Sequence, residues 1–282
     1  MKTGIIGLGL LGGSIAKAIR RTFPDSEIIG MNRSSKAREE AKREGVIDLA
    51  LEEIGPDFLH CDYIFLCAPV EVNIALLKEL APYAGEGTIL TDVGSVKDPI
   101  HRAVSRLLPG AHFIGGHPMA GKEKVGYANS SAELINGCYY YLTRSMGATE
   151  EDMERMRELV ATLGCRPVPV EPSEHDYIVA GISHVPHVAA YMLVKLIMDW
   201  DTPEEYMKTS AAGGFKDTTR IASSDPTMWE QIFLENRDNI LKVTDRYIGE
   251  IKELKAMIEA EDREGIHRML SEIRDYRNSL IR

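Results

Sequence analysis

The sequence predicts an α/β domain with a mostly parallel, doubly wound sheet, followed by a domain made only of helices. Short apolar runs alternate with amphipathic segments as far as about residue 170, which is the pattern of a parallel sheet covered by helices. A glycine-rich turn follows the first apolar run. Beyond Pro172 the strand-like runs stop and helical periodicity continues. We therefore expect two domains, residues 1–170 and 171–282.

The first thirty residues predict one strand–helix–strand unit. An apolar run leads into G-x-G-x-x-G, formed by Gly7, Gly9 and Gly12, and a second apolar run ends near Met31. This order is the dinucleotide-binding fingerprint of a Rossmann-type domain. Gly7 permits the tight turn, Gly9 lets the backbone approach a pyrophosphate, and Gly12 lets the helix pack on the strand. A glycine turn without a ligand is the weaker alternative.

The cofactor is expected to contact the first turn of the helix and the end of the second strand. The N–H groups at Leu10 and Leu11 and the positive end of the helix dipole suit the phosphates. The position that holds an acidic ribose ligand in many NAD binders holds Asn32, followed by Arg33. Asn32 can bond a ribose hydroxyl and Arg33 can pair with a 2′-phosphate, so NAD and NADP both remain open.

The next segments continue the alternation of strands and helices. The predicted order is a helix at 35–44, a strand at 62–69, a helix at 72–81, a strand at 87–92 and a helix at 99–108. Ala68 and Pro69 end one of these strands, where small residues could line the nicotinamide side of the cofactor. Ser95 follows another strand, at the sheet edge where ligands bind. It could contact substrate, or cap the next helix through the box Ser95-Val96-Lys97-Asp98.

His117 is the first candidate for a catalytic base. The run Gly115-Gly116-His117-Pro118 predicts a rigid turn that presents one imidazole. Histidine titrates near neutrality and is the commonest general base, whereas the alternative is a structural histidine satisfied within the turn. Three further elements complete the predicted domain: a strand at 137–143 that closes the sheet, a helix capped by Thr149, and a strand at 165–170.

The predicted helical domain carries a second group of candidates. Ser183, His184, His187 and Tyr191 share one face of a helix that Pro186 should kink. The two histidines could line a substrate pocket, bind a metal or be hydrogen-bonded core residues. No nearby carboxylate completes a metal site, so no metal is expected. The pocket is favoured because the kink should expose this face of the helix.

Basic side chains and long amphipathic helices complete this half. A helix is predicted to begin at Thr202-Pro203, and further on Lys216, Asp217 and Arg220 lie one helical turn apart. Arg220 offers a planar fork suited to a carboxylate, although a surface ion pair is the alternative. From residue 235 to the C-terminus two charged helices with an apolar stripe are expected, broken near Glu261-Asp262, which suits a homodimer interface.

Composition sets limits on partners and location. The chain has 282 residues, a net charge of -10 and four cysteines without a C-x-x-C pair. An acidic chain argues against nucleic acid as a partner, whereas one cationic pocket could still bind a small anionic substrate. The first strand begins at once and no apolar stretch of 18 residues is evident, so neither a signal peptide nor a membrane span is expected. The expected location is the cytoplasm.

Five motifs together resemble the prephenate dehydrogenase family, also called the TyrA family. They are residues 7–14, 92–97, 115–121, 183–187 and 213–222, in the family's order and over nearly the whole chain. The resemblance implies oxidative decarboxylation of prephenate to 4-hydroxyphenylpyruvate with hydride transfer to NAD or NADP, in tyrosine biosynthesis. It also implies a chain without a fused chorismate mutase domain or a C-terminal regulatory domain.

The resemblance assigns roles to six of the candidates. His117 matches the base that bonds the ring hydroxyl, and Ser95 matches its hydroxyl-bonding companion. Arg220 matches the arginine that binds the ring carboxylate, and His187 matches a residue near the substrate's side chain. His184 and Lys216 are assigned to support of the pocket. Arogenate dehydrogenase is the near alternative. A β-hydroxyacid dehydrogenase is more distant, because that class is expected to carry a catalytic lysine on the central helix, whereas this chain offers His117 from a sheet loop. A non-catalytic NAD(P)-sensing protein is also more distant, because it would not need a histidine and an arginine directed at one pocket.

Overall fold

The computed structural model describes residues 1–122 and 124–280. Within these ranges the strands form one eight-stranded sheet in the order β3-β2-β1-β4-β5-β6-β7-β8. The strands are β1 Lys2–Ile6, β2 Glu27–Met31, β3 Leu49–Leu51, β4 Tyr63–Leu66, β5 Ile89–Asp92, β6 Phe113–Pro118, β7 Tyr139–Arg144 and β8 Arg166–Pro169. All neighbours pair parallel except β6 and β7. The predicted fold class is confirmed.

Helices cover both faces of the sheet. They are α1 Leu10–Thr22, α2 Ser35–Arg43, α3 Val70–Leu80, α4 Asp98–Leu107 and α5 Glu150–Thr162. Ile5 belongs to one cluster of buried apolar side chains and Ile6 to another, because successive strand residues point to opposite faces. The predicted cap of α5 is confirmed, since Thr149 and Asp152 bond each other's backbone N–H groups. Helical periodicity therefore placed these elements within a few residues.

The sheet differs from the prediction in three details. Strand β3 was not predicted, because three residues give no periodicity. The segment at Gly115–Pro118 is not a turn but the end of β6, where His117 pairs with Tyr141. Its glycines serve close packing: a Cβ on Gly116 would stand 2.6 Å from the carbonyl oxygen of Asp92. Strand β7 does not close the sheet, since β8 lies outside it.

A run of helices follows the sheet within the same compact unit, residues 1–236. It comprises α6 Pro172–Val179, a π-helical turn Ala180–His184, α7 Val185–Trp200, α8 Tyr206–Thr209, α9 Gly213–Thr219 and α10 Pro226–Glu235. The disturbance expected at Pro186 takes the form of this π-helical turn, which directly precedes α7. The helix predicted from Thr202 is wrong: Glu205 has a left-handed φ of 54°, and only the single turn α8 follows.

The segment Pro172–Trp200 also corrects the expectation that no stretch is apolar enough to cross a membrane. It is 29 residues long and contains an 18-residue window with a mean hydropathy of 1.4, which meets the criteria of length and composition. Within the structure 28% of that window is buried. Polar and charged side chains interrupt this segment, so it contains no uninterrupted apolar stretch although its average hydropathy is high.

The second compact unit, residues 237–282, contains two helices, α11 Arg237–Glu259 and α12 Arg263–Ser279. The predicted break is confirmed: Glu261 has φ of 52°, and the side chain of Asp262 accepts the N–H of Gly265 to cap α12. Ile281 and Arg282, the end of the predicted helical domain, lie outside the described residues.

Candidate active site

The glycine turn has the shape that a dinucleotide needs. Gly7 has φ of +102°, and a Cβ there would lie 2.9 Å from the carbonyl carbon of Cys67. A Cβ on Gly12 would lie 2.0 Å from the carbonyl oxygen of Gly7, so α1 can approach β1 only with glycine at this position. Gly9 has open space in front of its Cα and precedes the N–H groups of Leu10 and Leu11. A pyrophosphate therefore fits against this helix end.

Asn32 and Arg33 stand beside this turn in different environments. The Oδ1 atom of Asn32 accepts the N–H of Leu8 at 3.2 Å, so the side chain joins the end of β2 to the glycine turn. Arg33 is exposed, and its carbonyl accepts a bond of 3.1 Å from Arg38. The same guanidinium bonds the carbonyl of Asn32 and pairs with Glu52. Arg38 thus organises a loop that sequence inspection did not single out.

Ala68 and Pro69 form a fixed loop between β4 and α3. The amide of Asn73 donates to the carbonyl of Ala68 at 2.8 Å and accepts the N–H of Ala68 at 3.2 Å. Because the Cβ of a residue at Gly7 would also contact Ala68, this loop lies against the glycine turn. Sequence prediction placed the loop correctly at a strand end but missed Asn73, a buried polar residue inside an apolar helix.

The carboxyl end of β5 is organised by a buried ion pair. Lys97 bonds a carboxylate oxygen of Asp92, and its Nζ also donates to the carbonyl of Gly116 at 2.8 Å. Asp92 further accepts the N–H of Gly94 at 2.8 Å and that of Gly116 at 3.1 Å. The pair therefore joins the loop after β5 to the end of β6.

Ser95 lies half-buried in this loop. Among the described residues no side chain from Ser95 caps α4, which begins at Asp98 after Lys97, so the predicted capping box is wrong. The capping function belongs to Asp176 on α6, whose carboxylate accepts the N–H of Lys97 at 2.7 Å and of Asp98 at 2.9 Å. The hydroxyl of Ser95 is consequently not engaged in the helix start.

His117 lies at the end of β6 and is 8% exposed. Its Nδ1 atom is 2.9 Å from Nε2 of His175, and Nδ1 of His175 is 2.7 Å from Oδ1 of Asp176. The ring of Tyr141, the strand partner of His117, packs edge-on against His175 with centroids 5.3 Å apart. The Nε2 atom of His117 is thus the ring nitrogen left for a ligand.

Both of these histidines are neutral near pH 7. Burial lowers the pKa of His117 well below its usual value, and the positive charge of Lys97 acts in the same direction. Burial also lowers the pKa of His175, while Asp176 opposes the shift. A neutral imidazole is the form that can accept a proton, so His117 has the protonation state of a general base.

The π-helical turn and α7 bring His184 and His187 against Trp229. The ring of His187 stacks on the indole with centroids 3.5 Å apart, and His184 meets it edge-on at 5.9 Å. The amide of Asn236 donates to the carbonyl of Asp176 at 2.7 Å and contacts Nδ1 of His184 at 3.1 Å. Nε2 of His184 therefore carries the proton, and it is buried without a partner among the described residues.

This arrangement favours a pocket over a metal site. Within residues 1–122 and 124–280 no three His, Cys, Asp or Glu side chains group in a way that could hold a metal ion. The buried N–H of His184 is instead a donor ready for an oxygen atom of a ligand. His187 uses Nδ1 for the carbonyl of Ser183 at 2.8 Å.

Lys216 and Arg220 are exposed side chains. Lys216 lies on α9, and Arg220 begins the 3₁₀ turn Arg220–Ser223. Both elements pack against α7, the helix that carries His187. The structure therefore places His117 against His175, and His184 and His187 against Trp229, whereas the two basic residues lie on elements that pack against α7.

Sequence inspection missed the polar residues behind the candidates: His175, Asp176, Lys97 and Asn236. In the sequence His175 and Asp176 fit the first turn of a helix, and their partners His117 and Lys97 are 58 and 79 positions away. Lys97 lies within the predicted capping box Ser95-Val96-Lys97-Asp98, but the sequence does not indicate its ion pair with Asp92. One feature of the sequence could have identified His175 and Asp176: they are adjacent ionisable residues at the start of a largely apolar helix.

Comparisons with known proteins agree with this geometry. The family model described as "Prephenate dehydrogenase, nucleotide-binding domain" matches residues 15–168, and "Prephenate dehydrogenase, dimerization domain" matches residues 171–272. The prephenate dehydrogenase of Bacillus subtilis is 37% identical over 98% of this chain and 75% of its own length. The cyclohexadienyl dehydrogenase of Zymomonas mobilis is 30% identical over 92% and 88%.

Solved structures give the same result. The prephenate dehydrogenase of A. aeolicus in complex with hydroxyphenyl propionate and NAD+ matches with a TM-score of 0.93, at 32% identity over 99% of this chain and 98% of that chain. Synechocystis arogenate dehydrogenase matches with a TM-score of 0.87, at 29% identity over 99% and 100%.

The Rossmann-type sheet and its glycine turn, taken with these similarities, define an NAD(P)-dependent dehydrogenase. The two family models and the identities above then decide the family. The chain belongs to the prephenate dehydrogenases.

Proposed function

We propose that the protein converts prephenate to 4-hydroxyphenylpyruvate and CO2 with transfer of hydride to NAD(P)+, a step of tyrosine biosynthesis. The observation that carries the site assignment is His117, a buried neutral imidazole whose Nε2 is free at the carboxyl edge of a dinucleotide-binding sheet. Family membership supplies the reaction. The related A. aeolicus structure, which contains NAD+ and a hydroxyphenyl acid, supports the same chemistry.

The residues of the chain divide the reaction between them. Gly7, Gly9, Gly12, Leu10 and Leu11 would hold the pyrophosphate of NAD(P)+, Asn32 and Arg33 its adenosine ribose, and Ala68 and Pro69 would lie beside its nicotinamide. The cofactor, when bound, would supply the acceptor for the hydride. His117 accepts the proton of the ring hydroxyl. Hydride leaves the ring carbon that carries this hydroxyl. The carboxylate then departs as CO2 and its bonding electrons complete the aromatic ring. The proton returns to the phenolic oxygen, so His117 ends neutral.

The remaining site residues bind and orient. Ser95 bonds the ring hydroxyl beside His117. Arg220 pairs with the ring carboxylate, because its planar fork matches two carboxylate oxygens. His187 lies near the pyruvyl side chain, His184 offers its buried N–H, and Lys216 adds positive charge at the pocket entrance. This assignment is supported by the packing of α9 on α7 and by the free donor on His184.

Arogenate is the second candidate substrate, favoured by the 29% identity to Synechocystis arogenate dehydrogenase over the full chain. The two substrates differ only in an amino or keto group on the side chain. Initial rates with each substrate, combined in turn with NAD and NADP, separate the four possibilities. Turnover of prephenate supports the proposal, and turnover of arogenate alone replaces it. Absence of turnover in protein shown to bind the nucleotide would reject both.

The choice of cofactor depends on Arg33. It is exposed beside the ribose position and bears no acidic neighbour at position 32, so NADP is accommodated. In Arg33→Ala, a rise in KM for NADP with KM for NAD unchanged would support a phosphate contact. Equal effects on the two cofactors would reject it.

We infer a cytoplasmic homodimer built through the helical residues 171–282, with 1–170 as the nucleotide-binding domain. Apolar side chains remain exposed on helices of this region: Met192, Leu196, Met198, Trp200, Ile251, Ile258, Leu270 and Ile273. A second copy covering them would explain why α7 is so apolar, and the matched family description names dimerization. Sedimentation equilibrium tests this, because a monomer at micromolar concentration would reject it.

A further inference from the structure

Four groups form a line of polar contacts that ends at the proposed base. The line runs from the first N–H groups of α4 through Asp176 and His175 to His117. Asp176, His175 and His117 are all buried. Each contact is between 2.7 and 2.9 Å, within hydrogen-bond range.

The direction of the bonds can be followed from Asp176. Its Oδ1 accepts the N–H of Lys97 and its Oδ2 accepts that of Asp98, at the positive end of the α4 dipole. A carboxylate can only accept hydrogen bonds. The Nδ1 atom of His175, 2.7 Å from Oδ1, must therefore carry a hydrogen, because two acceptors at that distance would repel each other.

The same reasoning applies to the next contact. Because burial keeps His175 neutral, a hydrogen on its Nδ1 leaves a lone pair on Nε2. The Nδ1 atom of His117 lies 2.9 Å from that lone pair and must donate to it. The lone pair of His117 is then on Nε2, the nitrogen that faces away from His175.

We propose that His175 and Asp176 are positioning residues that hold His117 in the tautomer able to accept the substrate's hydroxyl hydrogen. This inference rests on the proposed function, in which His117 is the base. Tyr141 supports the arrangement by packing against the edge of the His175 ring. When His117 becomes an imidazolium, its Nδ1–H already points at an acceptor that is polarised by a carboxylate, as in the orienting acid of a serine protease triad.

The charged and titratable groups facing this line come from several elements. Lys97 and Asp92 lie beneath it on the sheet edge, His184 faces His117 from the π-helical turn, and Glu235 at the end of α10 faces Lys97 and Asp176. The pH dependence of any variant must therefore be compared with the wild type over the whole range, because these neighbours titrate as well.

The tautomer can be observed directly without activity. Nitrogen-15 labelling of the imidazoles gives signals from eight histidines, and His117→Asn identifies the signals of His117 by their loss. Protonated and unprotonated ring nitrogens have separate chemical shifts. The wild type is expected to show Nδ1 of His117 protonated and Nε2 unprotonated at pH 7.5. The opposite pattern would overturn the proposal.

Kinetics then test the function of the line. His175→Leu removes the acceptor for His117, and we expect kcat to fall about 10²–10⁴-fold, the range for a misplaced general base, with KM changed less than about threefold. In His175→Gln the side-chain carbonyl oxygen can still accept from Nδ1 of His117. The kcat of this variant should therefore be at least tenfold higher than that of His175→Leu. A structural role alone would lower both variants equally.

A matched histidine–carboxylate pair provides the control. Nδ1 of His112 is also 2.7 Å from a carboxylate oxygen, that of Asp152, away from the candidate site. His112→Leu should leave kcat unchanged. If His175→Leu retains full kcat while His117→Asn does not, this inference fails and the proposed function stands. If the wild type turns over neither substrate, the proposed function fails whatever the tautomer.

Discussion

Lys97 and Asp92 form an ion pair whose side chains are both 0% exposed. Lys97 also donates to the carbonyl of Gly116, and Asp92 accepts two backbone N–H groups. A buried pair of this kind contributes little compared with an apolar pair of the same shape, but removal of one partner leaves a charge without compensation. The main structural effect of this ion pair is therefore to join the loop that contains Ser95 to strand β6, which contains His117.

Loss of the lysine should be far more damaging than loss of a surface lysine. We expect Lys97→Met to lower the free energy of unfolding by about 3–5 kcal/mol, because the carboxylate of Asp92 remains buried. Lys195→Met, which breaks an exposed pair with Asp199, should change it by less than about 1 kcal/mol. Urea titration measures both. Equal effects would contradict the burial argument.

His117→Asn should affect chemistry and leave nucleotide binding intact. Removal of a general base lowers kcat by about 10²–10⁴-fold. The glycine turn belongs to a different part of the sheet edge, so the dissociation constant for NAD or NADP should remain within about twofold of wild type. Steady-state rates and quenching of tryptophan fluorescence by the nucleotide give the two quantities. Wild-type turnover would remove His117 as the base.

The pH dependence of the wild type should be flat across neutrality. Because burial lowers the pKa of His117 below its usual 6.5, the neutral and active form persists as pH falls. The acid limb of log kcat/KM is therefore expected below pH 6.5. Initial rates from pH 5 to 9 in buffers of constant ionic strength test this. A limb centred above pH 7 would mean that a different group controls the rate.

Arg220→Ala should weaken substrate binding more than chemistry. A hydrogen bond to a charged group contributes about 1.5–3 kcal/mol, so KM for prephenate should rise about 10- to 100-fold. Lys208→Ala removes an exposed cation on α8, paired with Glu205, and should have little effect. An unchanged KM in the Arg220 variant would mean that the ring carboxylate is bound elsewhere.

Glu235 should make stability depend on pH. Burial, together with the charges of Glu71, Asp176 and Asp92, raises its pKa to about 7, although Lys97 opposes the shift. The folded state holds this proton more tightly than the unfolded state, so stability is lost as pH rises from about 4.5 to 7. Partial exposure reduces the effect to about 1–2 kcal/mol.

Glu235→Gln removes the group that titrates while keeping its size. The variant should have a higher Tm than wild type at pH 8 and the same Tm at pH 4.5. Glu230→Gln on the same helix is the control, because that side chain lies on an exposed turn of α10. A wild type that is equally stable at the two pH values would contradict the prediction.

Local patterns predicted the elements that depend on local physics. The start of α5 follows from Thr149 and Asp152 alone, and the glycine turn follows from Gly7, Gly9 and Gly12. The sequence identifies His117 as a candidate, although it predicts a turn where the structure has the end of β6. The glycines before His117 fit a turn, but the structure shows that close packing requires them: Gly115 lies against Thr143, and Gly116 against the backbone of Asp92.

The partners of the candidates could not be predicted because they are set by tertiary contacts. Ser95 fits a capping box in sequence, but Asp176 occupies the helix end from a distant element. A carboxylate that caps one helix from another produces no periodic pattern in the sequence, so this contact could not be predicted. The same holds for Asn236, which connects Asp176 to His184.

The position of Asp176 also bears on how the chain can be divided. A fragment ending at residue 170 would keep every described strand of the sheet, yet it would leave the N–H groups of Lys97 and Asp98 without their acceptor and His117 without its neighbour. Such a fragment should be poorly folded at the sheet edge that carries Ser95 and His117. If residues 1–170 were fused to a different domain during evolution, that domain would have to supply a carboxylate at the position of Asp176.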